Sequence, residues 1–247
     1  MQGGEVDLYN PSTMTTVRSP LEPLSANRVS LTTLVTEAIR EAIVARRLMP
    51  GERVTESYLA SQLQVSKTPV REALLRLQAM GLLEPDGARG GRVVALSADN
   101  IRWAFEVRAA LEVHAARLAA EHASAEAVAE IRQLAHLSRE AIEANDVARY
   151  RELDRRFHLA VVNSVNNPRL QSLIEDALTL TWTLRRRDVP MADDSSDTAA
   201  EHVEIAAAIA SRDTADAADS MFEHLRTKWR IVLHAFQADG KAASDQA

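Results

Sequence analysis

Val65-Ser66-Lys67-Thr68-Pro69-Val70-Arg71-Glu72-Ala73-Leu74, continued by Leu75-Arg76-Leu77-Gln78-Ala79-Met80-Gly81, decides how the first third of this chain is read. At about 100° per residue, Val70, Ala73, Leu74 and Leu77 share one stripe, while Lys67, Thr68, Arg71 and Gln78 fall on the other side. Ser66 stands where an N-cap is expected, and Gly81 where a helix stops. The spacing therefore predicts a helix from about Lys67 to Met80 with a clean core face and a basic, hydroxyl-bearing outer face.

Two more helical segments precede it. Leu31, Leu34, Val35, Ala38, Ile39, Ala42 and Ile43 recur at helical spacing and end before Pro50-Gly51. Thr55-Glu56-Ser57 offers a cap for a short helix through Leu63. After Gly81 the period changes: Leu82-Leu83 and Val93-Val94-Ala95-Leu96 flank Asp86-Gly87-Ala88-Arg89-Gly90-Gly91, which predicts two short strands around a basic, glycine-rich tip. This is the outline of a winged helix-turn-helix, whose recognition helix offers its N-terminal residues to the major groove while the wing reaches backbone or minor groove. A small three-helix module with a solvated basic face fits the same periodicity.

The chain has 247 residues, no cysteine, and a net charge of -6. Without cysteine, a metal site must use His, Asp and Glu, and disulfides and thiol chemistry are excluded. No apolar stretch approaches the roughly 18 residues of a membrane span, and the first 30 residues lack a secretory pattern, so a cytoplasmic protein is expected, with no membrane partner. The negative total is divided unevenly. Residues 28–92 carry +3, residues 93–247 carry -7, and all seven histidines lie in the second block. Four segments are expected: a flexible arm over 1–27, a DNA-binding domain over 28–96, a helical domain over 97–237 and a flexible tail over 238–247. The third is Ala-rich, with caps or breakers at Ser124, Asn145-Asp146, Asn167-Pro168, the Val189 to Asp197 loop and Asp213, which divide it into six antiparallel helices. The fold class is thus mostly α, a winged helix-turn-helix followed by an all-α six-helix bundle.

Within that bundle, Asp154 and His158 stand four apart beside the apolar stripe Tyr150, Leu153, Phe157 and Val161, so both can grip one cation. His202 neighbours Ile205, Ala206 and Ile209, and His224 stands one turn from Met221. Spacing alone does not bring these three helices together, and any one histidine alone reads equally as a hydrogen-bonded core residue. Arg108 faces Glu112 at i, i+4, the spacing of a simple salt bridge. Arg185-Arg186-Arg187 reads as a solvated, dipole-compensating helix end.

Leu48-Met49-Pro50-Gly51-Glu52-Arg53-Val54, Glu56-Ser57-Tyr58-Leu59-Ala60, the Val65 to Leu74 string and Gly81-Leu82 together resemble the GntR family of bacterial transcription regulators. This resemblance implies that Ser66, Lys67, Thr68 and Arg71 face operator DNA, with Arg89 and Gly90 at the wing. Lys67 stands where the family usually has Arg, and Leu75 where a polar or basic residue is expected. Val107-Arg108-Ala109-Ala110-Leu111-Glu112, Leu153 to His158, Asn167-Pro168, Glu201-His202-Val203 and Glu223-His224-Leu225 resemble the FCD effector domain that accompanies many such winged helices. The FCD resemblance implies a divalent metal held by Asp154, His158, His202 and His224. Zinc is the first expectation, with nickel, manganese or iron compatible with the same donors. It also implies a small carboxylic-acid effector held in part by Arg108. The expected protein is then a homodimeric, ligand-responsive regulator, a repressor in the first instance and not an enzyme. A metalloenzyme acting on a small organic acid is the competing reading, without an HExxH string or a nucleophile elbow to support it.

Overall fold

Apolar residues at helical spacing make the first element, α1 (Leu31–Val44), which buries Val35, Ile39 and Ile43. In the computed structural model, which describes residues 30–87, 89–188 and 196–244, this helix is followed by a turn with Gly51 at φ +78° and by β1 (Arg53–Thr55). The Thr55 hydroxyl accepts from the Tyr58 N–H and so starts α2 (Glu56–Leu63). The third helix, α3 (Lys67–Ala79), buries Val70, Ala73, Leu74 and Leu77, the stripe expected from its period. Gly81 at φ +74° ends it in the left-handed conformation that glycine adopts without cost. Ser66 holds the N-cap position, but its side chain makes no capping bond, which corrects the expectation that it caps the helix.

The wing is built from β2 (Leu83–Pro85) and β3 (Gly90–Val93), paired antiparallel with Leu83 opposite Val93. The strand β1 adds to the other edge of β3, giving the order β1-β3-β2. This third strand was not expected: three residues are too few for a two-residue alternation to be visible, and pairing with β3 supplies its regularity. Gly90 lies opposite Thr55, buried. A Cβ on it would stand 2.4 Å from the Val54 carbonyl oxygen.

Six helices complete the described chain: α4 (Ala98–His122), α5 (Ala125–Glu143), α6 (Val147–Asn163), α7 (Pro168–Asp188), α8 (Ser196–Ala210) and α9 (Thr214–Ser244). Ser97, Ser124 and Asp146 each accept a bond from a first-turn N–H, and Asn167 and Asp213 each accept two. Their core is alanine-rich, with Ala116, Ala119, Ala120, Ala135 and Ala141 packed among Ile131, Phe157, Ile205 and Ile209. Small side chains let the axes approach closely, so polar groups carried on the same faces come together. The last helix runs on to Ser244, where a tail was expected from 238. One glycine, Gly240, is the only strong helix breaker there, and its cost of about 1 kcal/mol does not stop a helix already packed upstream. The expected arm over 1–27 lies outside the described residues.

The seventh helix joins the winged helix to the bundle. Leu180 packs against the winged-helix core, and a Cβ on Gly81 would meet it at 3.3 Å. Arg187, only 3% exposed, donates from Nη2 to the Val94 carbonyl at 2.8 Å and from Nε to Asp188 at 2.7 Å. Arg46 donates from Nε to the Arg187 carbonyl at 3.2 Å and faces Asp188 at 3.3 Å. Arg187 is therefore a buried fastener, not the solvated cation expected from its sequence.

Gly90→Ala forces the β1–β3 pair apart at a backbone atom. We expect a loss of about 1–3 kcal/mol in winged-helix stability, read as a lowered midpoint in thermal denaturation, and an unchanged midpoint contradicts the tight approach.

Candidate metal centre and nucleic-acid interface

Helical periodicity puts Tyr150, Asp154, Phe157 and His158 on the buried side of α6. The bundle brings His202 from α8 and His224 from α9 to the same place, and all four candidate ligands are buried, with one donor atom of each within 4.8 Å of the others. Asp154 Oδ1 lies 4.0 Å from His158 Nε2 and 3.5 Å from His202 Nε2, while His158 and His224 approach through their Nε2 atoms at 3.3 Å. The four residues implied by the resemblance are thus brought together. The other four histidines, His114, His122, His136 and His234, are exposed.

Neighbouring groups orient these rings. Glu112 Oε2 lies 2.5 Å from His158 Nδ1, and Glu201 Oε2 lies 2.9 Å from His224 Nδ1. Thr227 donates to the other oxygen of Glu201 at 2.8 Å. Carboxylates beside two imidazoles hold their Nδ1 sides and leave their Nε2 atoms facing each other across 3.3 Å. Glu201 is adjacent to His202 and Glu112 was paired only with Arg108, so nothing in their spacing marked them as partners of a different histidine.

Arg108, the residue implied to help hold an effector, is paired within the helix. It is buried, with Nε 2.6 Å and Nη2 3.4 Å from the Glu112 carboxylate. The i, i+4 salt bridge is what the geometry holds, and it leaves Arg108 behind His158. A different cation reaches Asp154: Lys228, one turn after His224, places Nζ 3.1 Å from Oδ1 and 2.5 Å from the Tyr150 hydroxyl. Tyr150 Oη also lies 3.0 Å from Thr198 Oγ1.

Charge states follow from these contacts. Burial pushes the Asp154 carboxyl up, but Lys228, His158 and His202 outweigh it and hold its pKa well below the usual carboxylate range. For His202, burial and the neighbouring His224 push the pKa well down, and for His224 burial and His158 do the same. Neutral imidazoles at His202 and His224 beside an ionised Asp154 are protonation states that suit coordination of a divalent cation. His202 also has both ring nitrogens buried without a hydrogen-bond partner, and coordination would satisfy one of them, Nε2. The donor set fits a divalent metal ion of the nitrogen- and oxygen-preferring class.

At the other end of the molecule, Ser66, Lys67, Thr68 and Arg71 are exposed around the start of α3, and Arg89 is exposed on the wing. Arg71 is held in place by Glu56, with Nε 2.8 Å from Oε1 and Nη2 3.1 Å from Oε2. The Glu56 N–H donates to the Arg89 carbonyl at 3.2 Å, so α2 ties the recognition helix to the wing. Gly90 does not offer a surface: it is buried beneath Val54 and shapes the wing instead. Leu75, 60% exposed, stands out on α3 without covering.

Residues 31–93 match the family described as bacterial regulatory proteins, gntR family, and residues 104–227 match the FCD domain. The probable D-xylose utilization operon transcriptional repressor of Paenarthrobacter nicotinovorans is 32% identical over 220 residues, covering 85% of this chain and 93% of that protein. The Nta operon transcriptional regulator of Aminobacter aminovorans is 29% identical over 197 residues, covering 77% and 89%. A solved structure of E. coli McbR/YncC superposes with a TM-score of 0.68 at 26% identity, covering 85% of this chain and all of that one. Among the described residues no helix is long and apolar enough to cross a membrane.

Glu112 sets an acid limit on the metal-free protein. Burial pushes its carboxyl up, yet Arg108 and His158 prevail and bring the pKa from 4.5 down to about 2. A depressed carboxyl stabilises the fold above its unfolded value and loses that contribution as pH falls through the folded one, here a loss of about 3 kcal/mol. We expect Glu112→Gln to flatten this acid slope in urea unfolding, and at neutral pH to cost about 3 kcal/mol by leaving Arg108 buried without its carboxylate. A variant with the parent's acid profile contradicts the assignment.

Proposed function

Because the chain belongs to the GntR family of bacterial regulatory proteins and carries an FCD domain, we propose that its operator affinity is set by a small carboxylic acid bound beside a divalent metal in the helical domain. The protein is a DNA-binding transcription regulator and not an enzyme, as its family and its relatives are. The observation that carries the metal reading is the buried, ionised Asp154 among three inward histidines, one of them with both nitrogens unpartnered. Asp154, His158, His202 and His224 would hold the ion, with zinc as the first choice. Bound metal supplies a Lewis-acidic position to which a carboxylate oxygen is attracted.

The residues of the chain do the rest. Glu112 and Glu201 orient two of the imidazoles, and Arg108 keeps Glu112 ionised. Ser66, Lys67, Thr68, Arg71 and Arg89 face double-stranded operator DNA. Arg71, steadied by Glu56, is ordered before it meets a base, which lowers the entropy lost on binding. A homodimer in the bacterial cytoplasm belongs to the same reading, since one winged helix reads one half-site and a two-fold operator requires two. The repressor sense is supported by the Paenarthrobacter relative.

Coupling runs through α7. It carries Leu180 and Arg187 against the reader, packs against α6 with two of the ligands, and precedes α8 with a third. A shift of α7 between two seatings changes how both reader heads are presented. A coupling free energy of about 1–3 kcal/mol suffices to alter operator occupancy severalfold to a hundredfold.

The test begins with a duplex selected from a random library on the purified, metal-analysed protein. A panel of carboxylic acids is then titrated into the complex, and at least one acid is expected to change its dissociation constant. Sequence-specific binding that ignores every acid and survives chelation overturns the effector reading. On the same duplex, Arg71→Ala is expected to weaken binding by about 1–3 kcal/mol in gel-shift titration, and equal affinity removes Arg71 from the contact set. The double substitution His202→Ala and His224→Ala is expected to abolish bound metal by elemental analysis while far-ultraviolet circular dichroism keeps its helical form. Metal retained in full defeats the four-ligand site.

A further inference from the structure

Lys228 is the buried cation that the family resemblance did not assign. It is 2% exposed, stands four residues after His224 on the same face of α9, and contacts Asp154 through Oδ1. That is the oxygen nearest His158 Nε2 and His202 Nε2, so a metal shared by these ligands and the ammonium of Lys228 compete for one atom. Tyr150 also contacts the ammonium, with its hydroxyl at 2.5 Å and its ring centroid at 4.6 Å, and the same hydroxyl donates to Asp154 Oδ1 at 3.4 Å. Arg108, the other buried cation near the site, is spent on Glu112.

Charge balance gives the exchange a direction. Lys228 offsets Asp154 and Arg108 offsets Glu112, while the partly exposed Arg185 and Glu201 at the edge of the site are of opposite sign, so the charges balance before any ion enters. A divalent cation at Asp154 displaces an ammonium that stays inside the bundle, and the site then carries a surplus of buried positive charge, which an anion relieves. A carboxylate fits best because it has two oxygens, one for the metal and one to accept from a charged donor.

Resting on the metal-and-effector reading above, we propose that Lys228 is an exchangeable counter-cation: it holds Asp154 in the metal-free protein, yields that oxygen to the metal, and then binds the free oxygen of the carboxylate effector. Metal is thereby required before effector, and the effector must be anionic.

Two variants of similar length, Lys228→Met and Lys228→Gln, test this on the full chain, with circular dichroism to confirm the fold. Zinc affinity is measured by competition with a chromophoric chelator, and removing the positive charge is expected to tighten it by about tenfold or more. Acetate is then titrated into the cobalt-loaded protein and followed by the visible absorption of the metal, and its affinity is expected to fall by about tenfold or more in both variants. Zinc and acetate affinities equal to those of the parent overturn the assignment of Lys228 while leaving the metal site intact. Tightened zinc binding with unchanged acetate affinity overturns the effector-holding role. A parent protein that takes up no metal overturns the metal reading and this inference together.

Discussion

An ionised carboxylate inside a helical bundle persists only where cations and dipoles replace the water it has lost, and Asp154 imposes that condition on three helices at once. The ammonium of Lys228 answers it from α9, the imidazole of His158 from its own helix, and that of His202 from α8. Each answering group is itself buried and needs its own partner, so the demand spreads outward. His158 leans on Glu112, Glu112 on Arg108, His224 on Glu201, and Glu201 on Thr227. The alanine-rich faces around this chain of contacts follow from the same condition, because bulkier side chains would hold the helices too far apart for the polar groups to meet.

The reader uses a smaller version of the same device. Glu56 is buried at the start of α2 and takes its charge partner from Arg71 on the next helix, while its backbone ties down the wing at Arg89. A side chain that would otherwise sample many rotamers is thus fixed by an acid beneath it. The exposed surface around the start of α3 is shaped by a buried residue that never reaches it. Gly90 acts in the same indirect way, since its missing side chain sets how closely β1 and β3 approach.

The parts of this molecule that were legible in the sequence are those governed by local periodicity and capping. The α3 stripe, the six bundle helices, the caps at Ser124, Asp146 and Asp213, and the Asp154–His158 pair all depend on residues within one or two turns of each other. The meeting of His202 and His224 with that pair depends on helix packing, and the family resemblance carried it, not spacing. Arg108 shows the limit: four residues from Glu112, it fitted both a salt bridge and a ligand anchor, and the burial of the pair became visible only in the folded bundle. Lys228 at i+4 from a histidine looks like any solvated lysine until α6 is laid against α9. The third strand was hidden because its order comes from a partner nearly forty residues away.

The seating of Gly81 against Leu180 bears on how such proteins diversify. A winged-helix head is often regarded as a cassette that recombination moves freely from one sensor to another. Here the turn that ends α3 fits closely against a leucine of the helical domain, and Arg187 reaches across to a backbone carbonyl just beyond the wing. Exchange of either half therefore carries a fitting requirement at these points. A chimera that ignores the joint would have to fill or open the space at Gly81 and leave Arg187 without its carbonyl partner.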